Sequence, residues 1–141
     1  MQLRKNAKVE LLRQVPLFAQ CSKRELETIA GIADEVEVGE ATELTTQGDR
    51  GREFGVIVDG TASVTGDGKQ VASLGAGDFF GEIALVSDIP RTATVKATSP
   101  VRLLVVSARD FRRLMRESPA VQNKVLQALA HRVAELSTRH A

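Results

Sequence analysis

Between Glu35 and Val106 the chain breaks into short apolar runs rich in Val, Ile, Thr and Phe, parted by the glycine-containing turns QGDRG, VDG, TGDGK and LGAGD. β-branched and aromatic residues suit a pleated, half-buried surface, and turns this frequent leave no room for the crossover helices that a parallel sheet requires. The runs at 36–38, 53–58, 62–64, 71–74, 92–95 and 101–106 are therefore expected to be strands of an antiparallel jelly roll or barrel. That single feature sets the fold class as mainly β.

Helical periodicity flanks the roll on both sides. Val9, Leu11 and Leu12 form an apolar strip that Pro16 ends, and Ser22 with Glu25 three residues later has the spacing of a capping box ahead of Leu26, Ile29 and Ala30 in a helix ending near Asp34. After Val106, Ser107 is placed to cap ARDFRRLMRE, and Ser118-Pro119 opens a longer helix to about Thr138 with the stripe Val121, Val125, Leu126, Leu129, Val133 and Leu136. The chain divides into N-terminal helices (1–34), a roll (35–106) and C-terminal helices (107–141), read as one domain over 1–141.

With 19 basic and 18 acidic residues, the net charge of +1 lacks the basic footprint of a nucleic-acid binder, and Arg109, Arg112, Arg113 and Arg116 read as a solvated helix face. The lone Cys21 cannot pair within the chain and reads as a small buried residue. No run approaches the roughly 20 apolar residues of a membrane span and the amino terminus has no signal core, so a cytoplasmic location is expected. A metal-dependent enzyme on a β-roll needs several converging His and carboxylate ligands; His131 and His140 both lie in the last helix, and no Ser, Cys or Lys has an activating partner nearby in sequence. A non-enzymatic role without a cofactor follows.

One segment, 77–95, departs from the strand pattern: GDFFGEIALVSDIPRTATV. Gly75 and Gly77 make a turn, Phe79 and Phe80 are apolar anchors, and Gly81-Glu82-Ile83-Ala84-Leu85 reads as a short helix opened by glycine. A helix start presents unpaired N–H groups and a positive dipole end to an anion, and glycine lets that anion approach the backbone. Arg91, just past the turn at Asp88-Ile89-Pro90, can bind phosphate oxygens bidentately. Glu82 would repel a phosphate and is better used accepting hydrogen bonds from sugar hydroxyls. Anion site, hydroxyl acceptor and apolar wall together describe a nucleotide.

FGEIALVSDIPRTATV resembles the phosphate-binding cassette of the cyclic nucleotide-binding domain, shared by catabolite-activator-type regulators, cyclic-nucleotide-dependent kinases and gated channels. The likeness covers nearly the whole chain, with VPLF in the N-terminal helices, the QGD and VDG turns, the cassette and a closing helix pair in the family's order. It implies an antiparallel eight-stranded β-roll with N-terminal helices and two C-terminal helices. It places Gly81, Glu82 and the backbone of Ile83, Ala84 and Leu85 on ribose and cyclic phosphate, with Glu82 on the 2′-hydroxyl, and Arg91, Thr92 and Ala93 at the exocyclic oxygens. Leu74, with Leu129, Arg132 and Val133 from the last helix, would wall the base.

Thr92 does not decide between cyclic AMP and cyclic GMP; cyclic AMP is the preferred ligand. Relatives of the resembled family attach a helix-turn-helix, kinase or channel after this unit. This chain stops at Ala141 without a DNA-binding domain, which reads as a free-standing sensor whose output passes to a homodimer through the last helix or to an effector protein. The competing reading is a structural dimerisation module with an empty cassette.

Overall fold

The computed structural model describes residues 3–81 and 90–140, with side chains through residue 131. Two helices open the chain, α1 (Lys5–Arg13) and α2 (Lys23–Gly31), joined through a 3-10 turn at Pro16–Phe18. Strands β1 (Ala33–Val38), β2 (Glu43–Thr45), β3 (Glu53–Asp59), β4 (Ala62–Gly66), β5 (Lys69–Leu74), β6 (Phe79–Phe80), β7 (Thr94–Ala97) and β8 (Val101–Ser107) follow. The chain closes with α3 (Ala108–Glu117) and α4 (Pro119–His140). The eight described strands form two four-stranded antiparallel sheets, β1-β8-β3-β6 and β2-β7-β4-β5. The β-roll flanked by helices is the expected architecture.

Register divides the apolar residues between two cores. In the first sheet Gly55 lies opposite both Val105 and Phe80, and Ile57 opposite Leu103. Because neighbours across an antiparallel pair share a face, these residues point into the roll, where they meet Ala62, Val64, Val95 and Ala97 of the second sheet. The alternate positions Phe54, Val56, Leu104 and Val106 face outward onto Leu12, Phe18, Leu26, Ile29, Phe111 and Val125 of the helices. Three ring contacts run through that outer core, Phe111 to Phe18 at 5.5 Å, Phe18 to Phe54 at 5.8 Å and Phe54 to Phe79 at 6.2 Å. They connect α3 to β6 across the N-terminal turn.

Several boundaries differ from the sequence reading. The second helix ends at Gly31 rather than near Asp34, since Ala33 and Asp34 already pair with Val106 and Val105 in β1. The strand expected at 92–95 lies at Thr94–Ala97, because Arg91 is held by backbone hydrogen bonds to the QGD turn instead of a ladder. Leu126 is 54% exposed and leaves the buried face of α4, which consists of Val121, Val125 and Ala128 at helical spacing. Val133 and Leu136 lie where side chains are not described. No helix among the described residues is long and apolar enough to cross a membrane, and none of them form a cluster suited to a metal ion.

Helix ends follow short-range chemistry. Ser22 and Glu25 make the full capping box, with Glu25 Oε1 accepting from Ser22 N–H at 2.7 Å and Ser22 Oγ from Glu25 N–H at 3.2 Å; Ser107 Oγ accepts from Asp110 N–H at 3.1 Å. Lys124 Nζ also donates to Glu25 Oε1 at 2.5 Å, tying α4 to α2. The Lys124 ammonium first, and the Ser22 N–H second, hold the Glu25 carboxyl below its ordinary 4.5. A depressed carboxylate contributes stability that is present above the unfolded value and lost as pH falls through the folded one. Urea denaturation is therefore expected to weaken progressively below pH 4.5, and Glu25→Gln to remove that part of the slope. An unchanged slope would dismiss the tie. Cys21 is buried, as expected, and burial pushes its thiol up to about 11, leaving little thiolate at neutral pH.

Candidate functional site

β6 is only two residues long, yet it divides the cores: Phe79 packs on the outer core and Phe80 on the roll interior. Phe80 sits directly over Gly55, where a Cβ would lie 2.5 Å from the ring's Cζ. No side chain other than glycine's hydrogen fits beneath that ring. Next to Phe80 the space between the sheets opens into a cavity of about 380 Å³ bordered by Leu44, Thr45, Glu53, Phe80, Arg91 and Leu103, among others. That volume lies within the range of small-molecule sites, about 300–1,000 Å³.

Arg91 enters the cavity from a braced backbone. Its N–H donates to Asp49 O at 2.6 Å, and its carbonyl accepts from Gly48 N–H at 2.9 Å, so the QGD turn clamps it on both sides. The adjacent Pro90 bridges Arg50. From there the half-buried guanidinium reaches back, and Nη2 donates to Glu53 O at 2.5 Å. The guanidinium lies against the Cα of Gly81, whose φ of +77° is the left-handed conformation glycine tolerates. A Cβ at Gly81 would collide with Arg91 Nη1 and sit 2.8 Å from Glu53 O. Two residues ten positions apart thus meet because one has no side chain.

The cavity border carries three arginines, Arg50, Arg52 and Arg91, and three carboxylates, Glu43, Asp49 and Glu53, so no gross excess charge selects an anion. Selection rests on geometry at the Gly81–Arg91 contact, where a preorganised guanidinium stands beside backbone that a ligand can approach closely. Gly81→Ala is expected to push Arg91 off Glu53 O, cost about 1–3 kcal/mol of fold stability through the left-handed strain, and abolish Arg91-dependent anion binding. Thermal melts and ligand titrations of the variant would check it; retained binding would mean that the contact is incidental.

Of the residues singled out from sequence, Gly81 and Arg91 come together here. Leu74 pairs with Ala62 and packs on the inner core without bordering the cavity. Thr92 is exposed; Ala93 is half-buried, its carbonyl accepting from Thr45 Oγ1 at 3.0 Å. Glu82, Ile83, Ala84 and Leu85, and the side chain of Arg132, lie outside the described residues, and Leu129 packs half-buried against the outer core. Sequence reasoning missed the cavity walls Leu44, Thr45 and Leu103 and the acceptor Glu53 O. The QGD motif was visible, but read as a turn it did not disclose that its backbone would hold Arg91.

A family model described as the cyclic nucleotide-binding domain matches residues 35–118. The cAMP-dependent protein kinase regulatory subunit of Mycosarcoma maydis is 40% identical over 115 residues, 75% of this chain and 22% of the relative; that of Yarrowia lipolytica is 34% identical over 106 residues, 74% of this chain and 28% of the relative. The chain thus spans about a quarter of the length of these curated relatives. Among solved structures, the N-terminal domain of a transcriptional regulator from Streptomyces coelicolor superposes with a TM-score of 0.83 at 28% identity, covering 93% of this chain and 95% of that one. PfPKA-R with cAMP bound superposes at 0.68 with 25% identity, over 89% of this chain and 47% of that one.

Proposed function

Since this chain belongs to the cyclic nucleotide-binding domain family, we propose that it is a regulatory sensor that binds a cyclic nucleoside monophosphate, cyclic AMP in preference to cyclic GMP, in the cavity beside Phe80. The observation that carries this reading is the Arg91 guanidinium braced by the QGD turn against the side-chain-free Gly81. The cyclic phosphate is held by Arg91 and by backbone from Gly81 through Leu85, with Thr92 and Ala93 at its exocyclic oxygens. Glu82 accepts from the ribose 2′-hydroxyl. Leu74 at the roll and Arg132 from the last helix complete the base's surroundings. Relatives named as cAMP-dependent, and a similar structure solved with cAMP, favour the adenine base.

The output proposed is movement of the C-terminal helices. A ligand can shift a conformational equilibrium only by its differential affinity for the two states, so the site needs a physical link to the helices. The ring series from Phe79 through Phe54 and Phe18 to Phe111 supplies one, starting two residues before Gly81. Phe80, by contrast, points into the roll and takes no part in that series. Residues 1–141 act as one cytoplasmic unit in this reading, passing the change to a second copy through the last helix or to an effector protein. Spin-label distances between the roll and α4, measured with and without cyclic AMP, are expected to differ; equal distances with ligand bound would leave binding intact and refute the helix movement.

A further inference from the structure

Behind the entry to β3, on the side of α3, lies a second concavity of about 590 Å³ lined by Arg50, Arg52, Arg109 and Arg112 together with Glu53 and Asp110. Sequence reading had assigned Arg109 and Arg112 to a solvated helix face. Register brings them to the first pair of arginines: Glu53 lies opposite Ser107, and Ala108 N–H donates to Arg52 O at 2.8 Å. The groove therefore holds four guanidinium groups against two carboxylates, an excess of two positive charges (4 − 2) beside the positive end of the ten-residue α3. Arg52 and Arg109 are exposed, and neither side chain makes an ion pair or hydrogen bond among the described residues, although Glu53 and Asp110 line the same walls. Held together without counter-charge from the chain, they repel each other, and an external anion relieves that repulsion.

We propose that Arg52 and Arg109, flanked by Arg50 and Arg112, form a second anion site that takes a phosphomonoester and is distinct from the cassette cavity. A phosphomonoester carries about −1.5 to −2 at neutral pH, which matches the groove's excess, and its oxygens accept the forked donors of arginine in pairs. A single carboxylate neutralises half of that charge. A long polyanion meets Glu53 and Asp110 in the walls and finds no basic track beyond, the chain's net charge being +1. The phosphate belongs to a free metabolite or to a phosphorylated side chain of a partner.

The test titrates the full chain with phenyl phosphate, and separately with a phosphoserine peptide, following the arginine Nε–H resonances by NMR. Saturable shifts at Arg52 and Arg109 are expected, unchanged in Arg91→Ala and weakened about tenfold or more in Arg52→Gln/Arg109→Gln. Equal affinity for both probes assigns a free phosphomonoester, and about tenfold tighter peptide binding assigns a phosphorylated partner. Four results overturn the site: no saturation, shifts spread evenly over all surface arginines as in ionic screening, loss of the shifts in Arg91→Ala, or affinity unchanged in the double variant. Both exchanged residues are exposed, so the variant's melting curve should match the parent's, which separates a lost site from a lost fold.

Discussion

Arg91→Ala is expected to weaken cyclic nucleotide binding about a hundredfold while leaving the fold nearly as stable as before. Truncating one partner of a hydrogen-bonded charge pair in a sheltered site costs about 2–5 kcal/mol, and a hundredfold corresponds to about 2.7 kcal/mol. The stability cost is much smaller, because what the folded chain loses is the donor to Glu53 O, on a residue water can reach. The backbone clamp from Asp49 and Gly48 does not involve the side chain and survives the change. Arg91→Lys keeps the charge but loses the fork, and should recover only part of the affinity. Titration calorimetry beside thermal melts checks all three outcomes. Affinity within twofold of the parent would take Arg91 out of the site.

The largest loss of stability is expected at the other end of the ring series. Phe54 is fully buried on β3 and stacks edge-on against Phe18 with the rings at 84°, with Phe79 on its other side. Phe54→Ala opens a cavity between the sheet and the N-terminal turn and should cost about 3–5 kcal/mol, read as a lowered midpoint in urea. Val71→Ala, on the exposed face of β5 at 64% exposure, should change stability by no more than about 0.5 kcal/mol. Similar effects at the two positions would contradict the division into two cores.

The two predictions also mark what was legible in the sequence. Caps at Ser22 and Ser107, the glycine turns and the overall β-roll are short-range chemistry, written within a few residues of where they act. Strands β2 and β6 were not legible: three and two residues long, they exist through partners in β7 and β3 far along the chain. The opposed facing of Phe79 and Phe80 follows from that pairing and from no local pattern. Within the site, the glycine and arginine of the cassette could be read directly, whereas the part of Glu53 O and of the QGD backbone in fixing Arg91 depends on loops that meet only in the folded chain. The arginine groove was hidden for the same reason: helical periodicity put Arg109 and Arg112 on an outward face, and only the β3–β8 register shows what that face looks onto.

The central claim is that Arg91 set against Gly81 marks a working cyclic nucleotide site rather than an inherited shape. Calorimetric titration of the full chain with cyclic AMP and cyclic GMP, repeated on Gly81→Ala, tests it most directly. Saturable one-site binding of cyclic AMP, tighter than that of cyclic GMP and lost in Gly81→Ala, is the expected result. Absence of heat and of thermal stabilisation with either nucleotide at millimolar concentration would contradict the account and leave the chain a structural module with an empty cassette.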